Sequence, residues 1–167
     1  DLILLNDGTG GLATLDQQIG DTDSTSVALG DVNGDGRLDA LVGTNDGARL
    51  WINQNDQMEN NEPLFVPTKQ SFQAVQTVSE KLGAGFSRLA SKLLGLYLPY
   101  GSVRAKAVFL VDLDGDGDLD GLLARVWEAD IWWNDGIGMF YPSNVRFKYQ
   151  EDTGVGVSDF DGDGEQD

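Results

Sequence analysis

Residues 27–43 read Val-Ala-Leu-Gly-Asp-Val-Asn-Gly-Asp-Gly-Arg-Leu-Asp-Ala-Leu-Val-Gly, a nine-residue acidic loop between two short apolar runs. The loop, residues 31–39, recurs at 112–120 and 159–167. Each copy carries oxygen-bearing side chains at positions 1, 3, 5 and 9 and glycine at positions 4 and 6. Glycine permits the tight turn that directs alternate side chains inward, and oxygen donors suit a hard cation such as Ca²⁺. The pattern therefore predicts three calcium sites.

The predicted ligands are the side chains at positions 1, 3, 5 and 9 together with the backbone carbonyl of position 7. For the first site they are Asp31, Asn33, Asp35, Arg37 and Asp39. For the second site they are Asp112, Asp114, Asp116, Asp118 and Asp120, and for the third Asp159, Asp161, Asp163, Glu165 and Asp167. Carboxylates packed this closely repel one another by several kcal/mol without a counter-charge. We expect the cations to stabilise the fold rather than to catalyse a reaction.

An EF-hand, or the related dockerin loop, is the main alternative for these loops. An EF-hand has helices on both sides and an acidic ligand at position 12. Position 12 is Val42 in the first loop and Leu123 in the second, and the flanking segments are short apolar runs typical of strands. A loop that joins two strands fits these flanks better.

A second motif gives the chain a regular period. Asn53 ends Leu-Trp-Ile-Asn 22 residues after Asp31, and Asn134 ends Ile-Trp-Trp-Asn 22 residues after Asp112. Asn6 ends Ile-Leu-Leu-Asn 25 residues before Asp31, so the repeat is 22 + 25 = 47 residues. Each repeat reads strand, acidic loop, strand, turn, strand, asparagine hairpin, strand. Four short strands in about 40–50 residues are typical of one β-propeller blade. We predict an all-β fold with about three four-stranded antiparallel blades.

These motifs resemble the FG-GAP and VCBS repeats. The resemblance covers roughly 1–56 and 103–167, with Val27–Gly43 and Leu50–Asn53 as its most specific parts. It implies calcium-bearing propeller blades like those of integrin α-subunits and of bacterial and algal surface proteins. The sequence Gly43-Thr-Asn-Asp-Gly47 replaces the Gly-Ala-Pro of integrin repeats, which favours the microbial VCBS style. We therefore expect residues 1–167 to form part of a propeller domain.

The middle of the chain departs from the period. From Asn53 to Asp112 is 59 residues, 34 more than the usual 25. About six of them are expected to lengthen the hairpin 54–63, and the others fall at about 70–102. There the apolar residues are spaced as on one face of a helix, which predicts a helix at about 72–95. These apolar residues are Val75, Val78, Leu82, Phe86, Leu89 and Leu93. This basic helical insertion could pack on a blade, dock another subunit or lie on a membrane, although the acidic body opposes approach to anionic lipid.

Composition narrows the functional classes. The 28 acidic residues against 11 basic ones give a net charge of −17, which argues against a nucleic-acid partner. The chain lacks histidine and cysteine, the commonest general base and the thiolate nucleophile. It has no apolar run long enough to span a membrane. Open calcium loops usually bind at about 10⁻⁴–10⁻³ M, which predicts an extracellular or cell-surface location.

The number of repeats raises a question of assembly. Without the 34 inserted residues, 133 residues remain, or about 2.8 repeats of 47. Propellers have 4–8 blades. The sequence therefore leaves two expectations: the chain is a fragment of a longer polypeptide, or neighbouring copies complete its blades through head-to-tail contacts that form a ring or a filament.

The functional hypotheses differ in class. The first is a secreted or cell-surface module for adhesion or assembly, with a protein or carbohydrate ligand. The second is the scaffold of a polysaccharide-acting enzyme or a lectin, for which Trp127 beside Glu128 is the candidate sugar contact. The acids outside the loops form no convincing catalytic pair, so we predict that the chain is not an enzyme. These acids are Glu128, Asp130, Glu151 and Asp152. The third is a filament subunit that associates through blade ends or the helix.

Trp51 and Trp132 share one register position and are predicted to lie in the core.

Overall fold

The computed structural model describes residues 2–20, 23–55, 63–72, 104–149 and 154–167. Ten β-strands make up the regular structure of these ranges. They are β1 (Leu2–Asn6), β2 (Leu12–Gln18), β3 (Ser24–Gly30), β4 (Asp39–Thr44), β5 (Gly47–Asn53), β6 (Phe65–Ser71), β7 (Ala107–Val111), β8 (Asp120–Ala124), β9 (Glu128–Asn134) and β10 (Phe140–Lys148). Within these ranges, no helix has the length and apolar character needed to cross a membrane.

The strands form one hairpin and two four-stranded sheets, all antiparallel. Strands β1 and β2 form the hairpin, β3 to β6 the first sheet, and β7 to β10 the second sheet, each in sequence order. Asn53 pairs with Phe65 and Asn134 with Phe140, so an asparagine at the equivalent position closes the last hairpin of each sheet. This confirms the predicted all-β unit of strand, acidic loop, strand, turn, strand, hairpin and strand.

The outermost strand of each unit contains the same irregularity. Between two regular pairs, three of its residues lie opposite a single residue of the neighbouring strand. The three segments are 15–17 opposite Ile3, 68–70 opposite Leu50, and 143–145 opposite Ile131. A bulge that recurs at the same register position in every unit belongs to the repeat and is not a local defect. It changes the direction of the side chain at its end, which is Gln17 in the first copy and Gln70 in the second.

The two sheets pack face to face in a head-to-tail manner. Leu41 and Leu50 on one face of the first sheet lie in the same cluster as Leu123, Trp132 and Phe140 on the second sheet. The second-sheet residues at the positions of Leu41 and Leu50 lie on its other face, so the contact joins unlike faces. Such a heterologous contact can be repeated by further units.

Further layers cover the outer faces of both sheets. Ile3 and Ile19 of the N-terminal hairpin pack with Val42 and Phe65 of the first sheet. Val155 and Val157 pack with a second cluster on the far face of the second sheet, which contains Leu122, Ala129 and Ile131. Both β4 and β8 are therefore buried along their whole length, as is expected for strands covered on two faces.

Several predictions can be compared with this architecture. Trp132 is buried, while Trp51 is half-buried against the cluster of Val42 and Phe65, so the predicted core column is confirmed at both positions. Strand β6 extends to Ser71. The helical insertion predicted at about 70–102, with its helix at about 72–95, falls almost entirely outside the described residues and stays a prediction.

Candidate cation-binding loops

The three acidic loops have one common backbone conformation. Glycine positions 4 and 6 have positive φ in every copy, a conformation that other residues rarely adopt: Gly34, Gly36, Gly115, Gly117, Gly162 and Gly164. The first two loops join the first and second strands of their sheets, so they lie at equivalent edges. The third loop follows the segment 154–158 that covers the second sheet.

Hydrogen bonds within the loops repeat with the same pattern. The carboxylate at position 1 accepts the N–H of the glycine at position 6, at 2.7 Å for Asp31, 3.0 Å for Asp112 and 3.0 Å for Asp159. The oxygen at position 3 accepts the N–H of position 5, and the carboxylate at position 5 accepts the N–H of position 7, in all three loops. These hydrogen bonds fix the turns of all three loops in the same way.

The second and third loops bring carboxylates together. Asp112, Asp114 and Asp116 each place an oxygen within 4.8 Å of the others. In the third loop the group is formed by positions 1, 3 and 9 instead of 1, 3 and 5, and contains Asp159, Asp161 and Asp167. A group of carboxylate oxygens at this spacing, with no nitrogen or sulfur donor, is the donor chemistry of a hard divalent cation. The residues present therefore fit the predicted ion at these two loops.

The first loop differs because it contains a positively charged side chain. Arg37 at position 7 donates from Nη2 to Asp35 at 2.6 Å and from Nε to the carbonyl of Asn53 at 2.9 Å. Asn33 also replaces the carboxylate of position 3. The first loop therefore offers less negative charge to a bound cation than the second loop, where position 7 is Asp118. Desolvation, followed by the carboxylates of Asp116 and Asp112, raises the pKa of Asp118.

The acids at position 9 also hold the fold together. Asp39 is completely buried and accepts the N–H groups of Val32 at 3.1 Å and of Asn53 at 2.8 Å. Asp120 is 1% exposed and accepts the equivalent pair from Leu113 at 3.1 Å and Asn134 at 2.9 Å. Burial raises the pKa of both carboxyl groups, although the hydrogen bonds from the backbone oppose this shift.

These position-9 acids thus join each acidic loop to the third strand of its unit. In the third loop Asp167 also accepts the N–H of position 2, Phe160, at 3.0 Å. A carboxylate has about four acceptor sites, so two N–H donors leave capacity for a cation. The ligand sets predicted for the three loops stay predictions, among them the carbonyls of Arg37, Asp118 and Glu165 and the side chain of Asp163.

The candidate acids outside the loops lie beside arginines. Asp130 is 5% exposed and faces Arg125, which is 1% exposed, at 2.6 Å. Arg146 lies 3.3 Å from Asp130 and 3.6 Å from Glu128. Trp127, the candidate sugar contact on the adjacent turn, is 37% exposed. Glu151 and Asp152 are outside the part of the chain that the structure describes.

Two glutamines that the sequence analysis overlooked connect neighbouring layers. Gln17 in β2 donates to the carbonyl of Phe65 at 2.7 Å and accepts its N–H at 3.0 Å. Gln70 in β6 donates to the carbonyl of Gly138 at 2.6 Å and accepts the N–H of Phe140 at 2.9 Å. Each glutamine lies five residues after the residue that pairs with the hairpin asparagine, a spacing that an internal alignment of the units reveals.

Comparison with known proteins agrees with this organisation. No curated protein and no solved structure matches the chain significantly. Residues 24–57 match the family model described as the FG-GAP repeat. The match begins with β3 and continues through the first acidic loop, β4 and β5 into the hairpin. Residues 24–57, which contain the first acidic loop, are thus similar to an FG-GAP repeat.

Proposed function

We propose that the chain is a calcium-stabilised β-propeller module that acts outside the cell in adhesion or assembly. The observation that carries the proposal is the head-to-tail packing of two equivalent four-stranded sheets, each with an acidic loop at the same edge. Blades of a propeller pack in this heterologous way around an axis. The VCBS-type resemblance of the loops supports the same architecture.

Calcium is the cation that these loops suit best. The carboxylates in the second and third loops provide several oxygen donors, and Ca²⁺ accepts 6–8 such ligands in flexible geometry, whereas Mg²⁺ retains water and requires an octahedron. We propose that the side chains at positions 1, 3, 5 and 9 of each loop hold one ion. The ion supplies the positive charge that a chain of net charge −17 lacks.

A structural role follows from the expected affinity. A site with a dissociation constant of about 0.1 mM, in about 2 mM calcium, contributes about 1.8 kcal/mol, and three such sites about 5 kcal/mol. This is comparable with the net stability of a domain. Such weak sites are filled only where calcium is abundant, which supports an extracellular location.

Binding rather than catalysis is the activity that we propose. The chain has no histidine or cysteine, and the acids Glu128 and Asp130 are both in ion pairs with Arg146. The propeller would present its loops and outer strands to a protein or carbohydrate ligand. Trp127, exposed beside Glu128, favours carbohydrate as a second candidate ligand; loss of glycan binding in Trp127→Ala would support it.

Calorimetric titration with calcium and with magnesium tests the proposal. We expect three calcium sites in the wild-type chain, two in Asp116→Ala, and a melting temperature that falls on chelation. Asp16→Ala removes an exposed acid of β2, outside the loops, and serves as the matched control for the loss of one negative charge. Identical melting curves with calcium and with chelator would refute the stabilising role, and tighter binding of magnesium would refute the choice of ion.

Beads coated with the chain test the proposed role in adhesion. We expect calcium-dependent attachment, either between beads or to immobilised polysaccharide, because chelation removes the ions that hold the loops in shape. Attachment that is equal in chelator would contradict a calcium-dependent adhesion module.

A further inference from the structure

The hairpin that joins β9 to β10 lies between two acidic loops. The side-chain Nδ2 of Asn134 donates to the carbonyl of Val32 in the first loop at 2.8 Å and to the carbonyl of Leu119 in the second loop at 3.2 Å. Asn134 is only 7% exposed, so both hydrogen bonds are shielded from water. One amide group therefore connects loops that belong to different sheets.

The glycines of this hairpin bring its backbone against both loops. A Cβ atom on Gly136 would lie 2.4 Å from the carboxylate of Asp118 in the second loop. On the other side, a Cβ atom on Gly138 would lie 3.5 Å from the Cβ of Asn33 in the first loop. The hairpin thus fills the space between the loops, and a displacement of either loop must displace the hairpin.

The two ends of the hairpin are held as well. The backbone N–H of Asn134 donates to Asp120, position 9 of the second loop, at 2.9 Å. At the other end Gln70 of the first sheet binds the carbonyl of Gly138 and the N–H of Phe140. The hairpin therefore has hydrogen bonds to both sheets and to both loops, with Asn134 as the residue common to the two loops.

From these contacts we propose that loops 31–39 and 112–120 bind their cations with positive cooperativity, and that Asn134 is the positioning residue that couples them. The proposal rests on the proposed calcium function. A cation that orders one loop fixes the carbonyl to which Asn134 donates, and thereby fixes the hairpin against the other loop. The second loop then loses less conformational freedom when it binds its own cation.

Coupling of this kind is reciprocal and typically changes an affinity by about fivefold or more. We therefore expect the first loop to bind calcium about fivefold more weakly when Asp116→Ala has disabled the second loop. In an Asn134→Ala background we expect Asp116→Ala to have a smaller effect on the first loop. Any remaining effect measures the long-range attraction of the lost carboxylate, which does not depend on the amide bridge.

A site-resolved titration can measure the two loops separately. The N–H of Gly36 donates to Asp31 and the N–H of Gly117 donates to Asp112, so their ¹H–¹⁵N resonances report the first and second loop. The full chain is titrated with calcium at about 0.15 M salt, which screens the long-range charges beyond about 8 Å. Asn53→Ala is the matched control, because the Oδ1 atom of Asn53 accepts the N–H of Leu64 within its own hairpin.

The outcomes separate this proposal from the one on which it rests. If calcium binds both loops but Asp116→Ala leaves the affinity of the first loop unchanged, the coupling is refuted and the calcium function stands. If the effect of Asp116→Ala is as large with Asn134→Ala as without it, Asn134 is not the coupling residue. If neither glycine resonance responds to calcium, both proposals fail. Should Asn134→Ala not fold, Asn134→Ser, whose hydroxyl has one proton to donate, replaces it.

Discussion

The hydrogen bonds of Gln70 make a quantitative prediction about contacts between the sheets. In Gln70→Ala the carbonyl of Gly138 loses its donor and the N–H of Phe140 loses its acceptor. Phe140 is 6% exposed, so water has little access to its N–H group. The substitution therefore removes two hydrogen bonds and leaves a buried donor unsatisfied.

The size of the effect follows from these contacts. Each hydrogen bond contributes about 1 kcal/mol net, and an unsatisfied buried donor costs about 1–3 kcal/mol. We expect Gln70→Ala to lower the free energy of unfolding by about 3 kcal/mol, which corresponds to about 6–12 °C in the melting temperature of a chain of this size. Gln17→Ala should have a comparable effect, because Gln17 makes an equivalent pair of hydrogen bonds with Phe65.

Urea denaturation with saturating calcium measures the change, and hydrogen exchange at the Phe140 amide locates it. Lys69→Ala is the matched control, since Lys69 is the exposed neighbour of Gln70 in β6, and surface substitutions usually change stability by less than about 0.5 kcal/mol. If Gln70→Ala costs no more than Lys69→Ala, or if exchange at Phe140 is unchanged, the glutamine does not hold the two sheets together.

Three further predictions concern a position-9 acid, the first loop and the core. Asp120→Ala, in chelator so that cation binding makes no contribution, should lower the free energy of unfolding by about 3 kcal/mol in urea, since two N–H groups lose their acceptor; a loss below about 1 kcal/mol would contradict this. Arg37→Gln removes the positive charge that faces Asp35. Two opposite charges about 4 Å apart in water attract each other by about 1 kcal/mol, so calorimetry should show about fivefold tighter calcium binding by the first loop. Unchanged affinity would show that the guanidinium does not compete with calcium for Asp35. Leu50→Ala, in the core between the sheets, should cost about 3 kcal/mol, but Leu29→Ala, at a position 56% exposed, less than about 1 kcal/mol; equal costs would refute the packing.

Local features of this chain could be read from its sequence. The acidic loops are specified within nine residues, because glycines with positive φ and short acidic side chains determine the turn without distant partners. The strands and the four-strand unit followed from apolar runs and from the 47-residue spacing. The hairpin 54–63 was predicted from the position of Phe65, 12 residues after Asn53, and the structure pairs these two residues.

The roles of individual acids required the tertiary structure. Sequence spacing assigned Asp39 and Asp120 to cation binding alone, but their burial and their hydrogen bonds to the third strand give them a structural role as well. The ion pair of Arg125 with Asp130 was also missed, because the first unit has Thr44 and Arg49 at these positions and the repeat pattern supplies no precedent. A charge pattern states which residues are ionised, but not which of them become buried together.

Contacts between units were the least accessible to sequence reasoning. Gln17 binds Phe65 and Gln70 binds Phe140 across 48 and 70 residues, and Asn134 binds Val32 across 102 residues. In each case a side-chain amide binds a backbone group, so the partner position needs no particular residue type and leaves no complementary signal in the sequence. The local loops and strands were thus determined by short-range conformational preferences, whereas the way in which their layers are joined was decided by packing, which brings distant backbone groups within reach of these three amides.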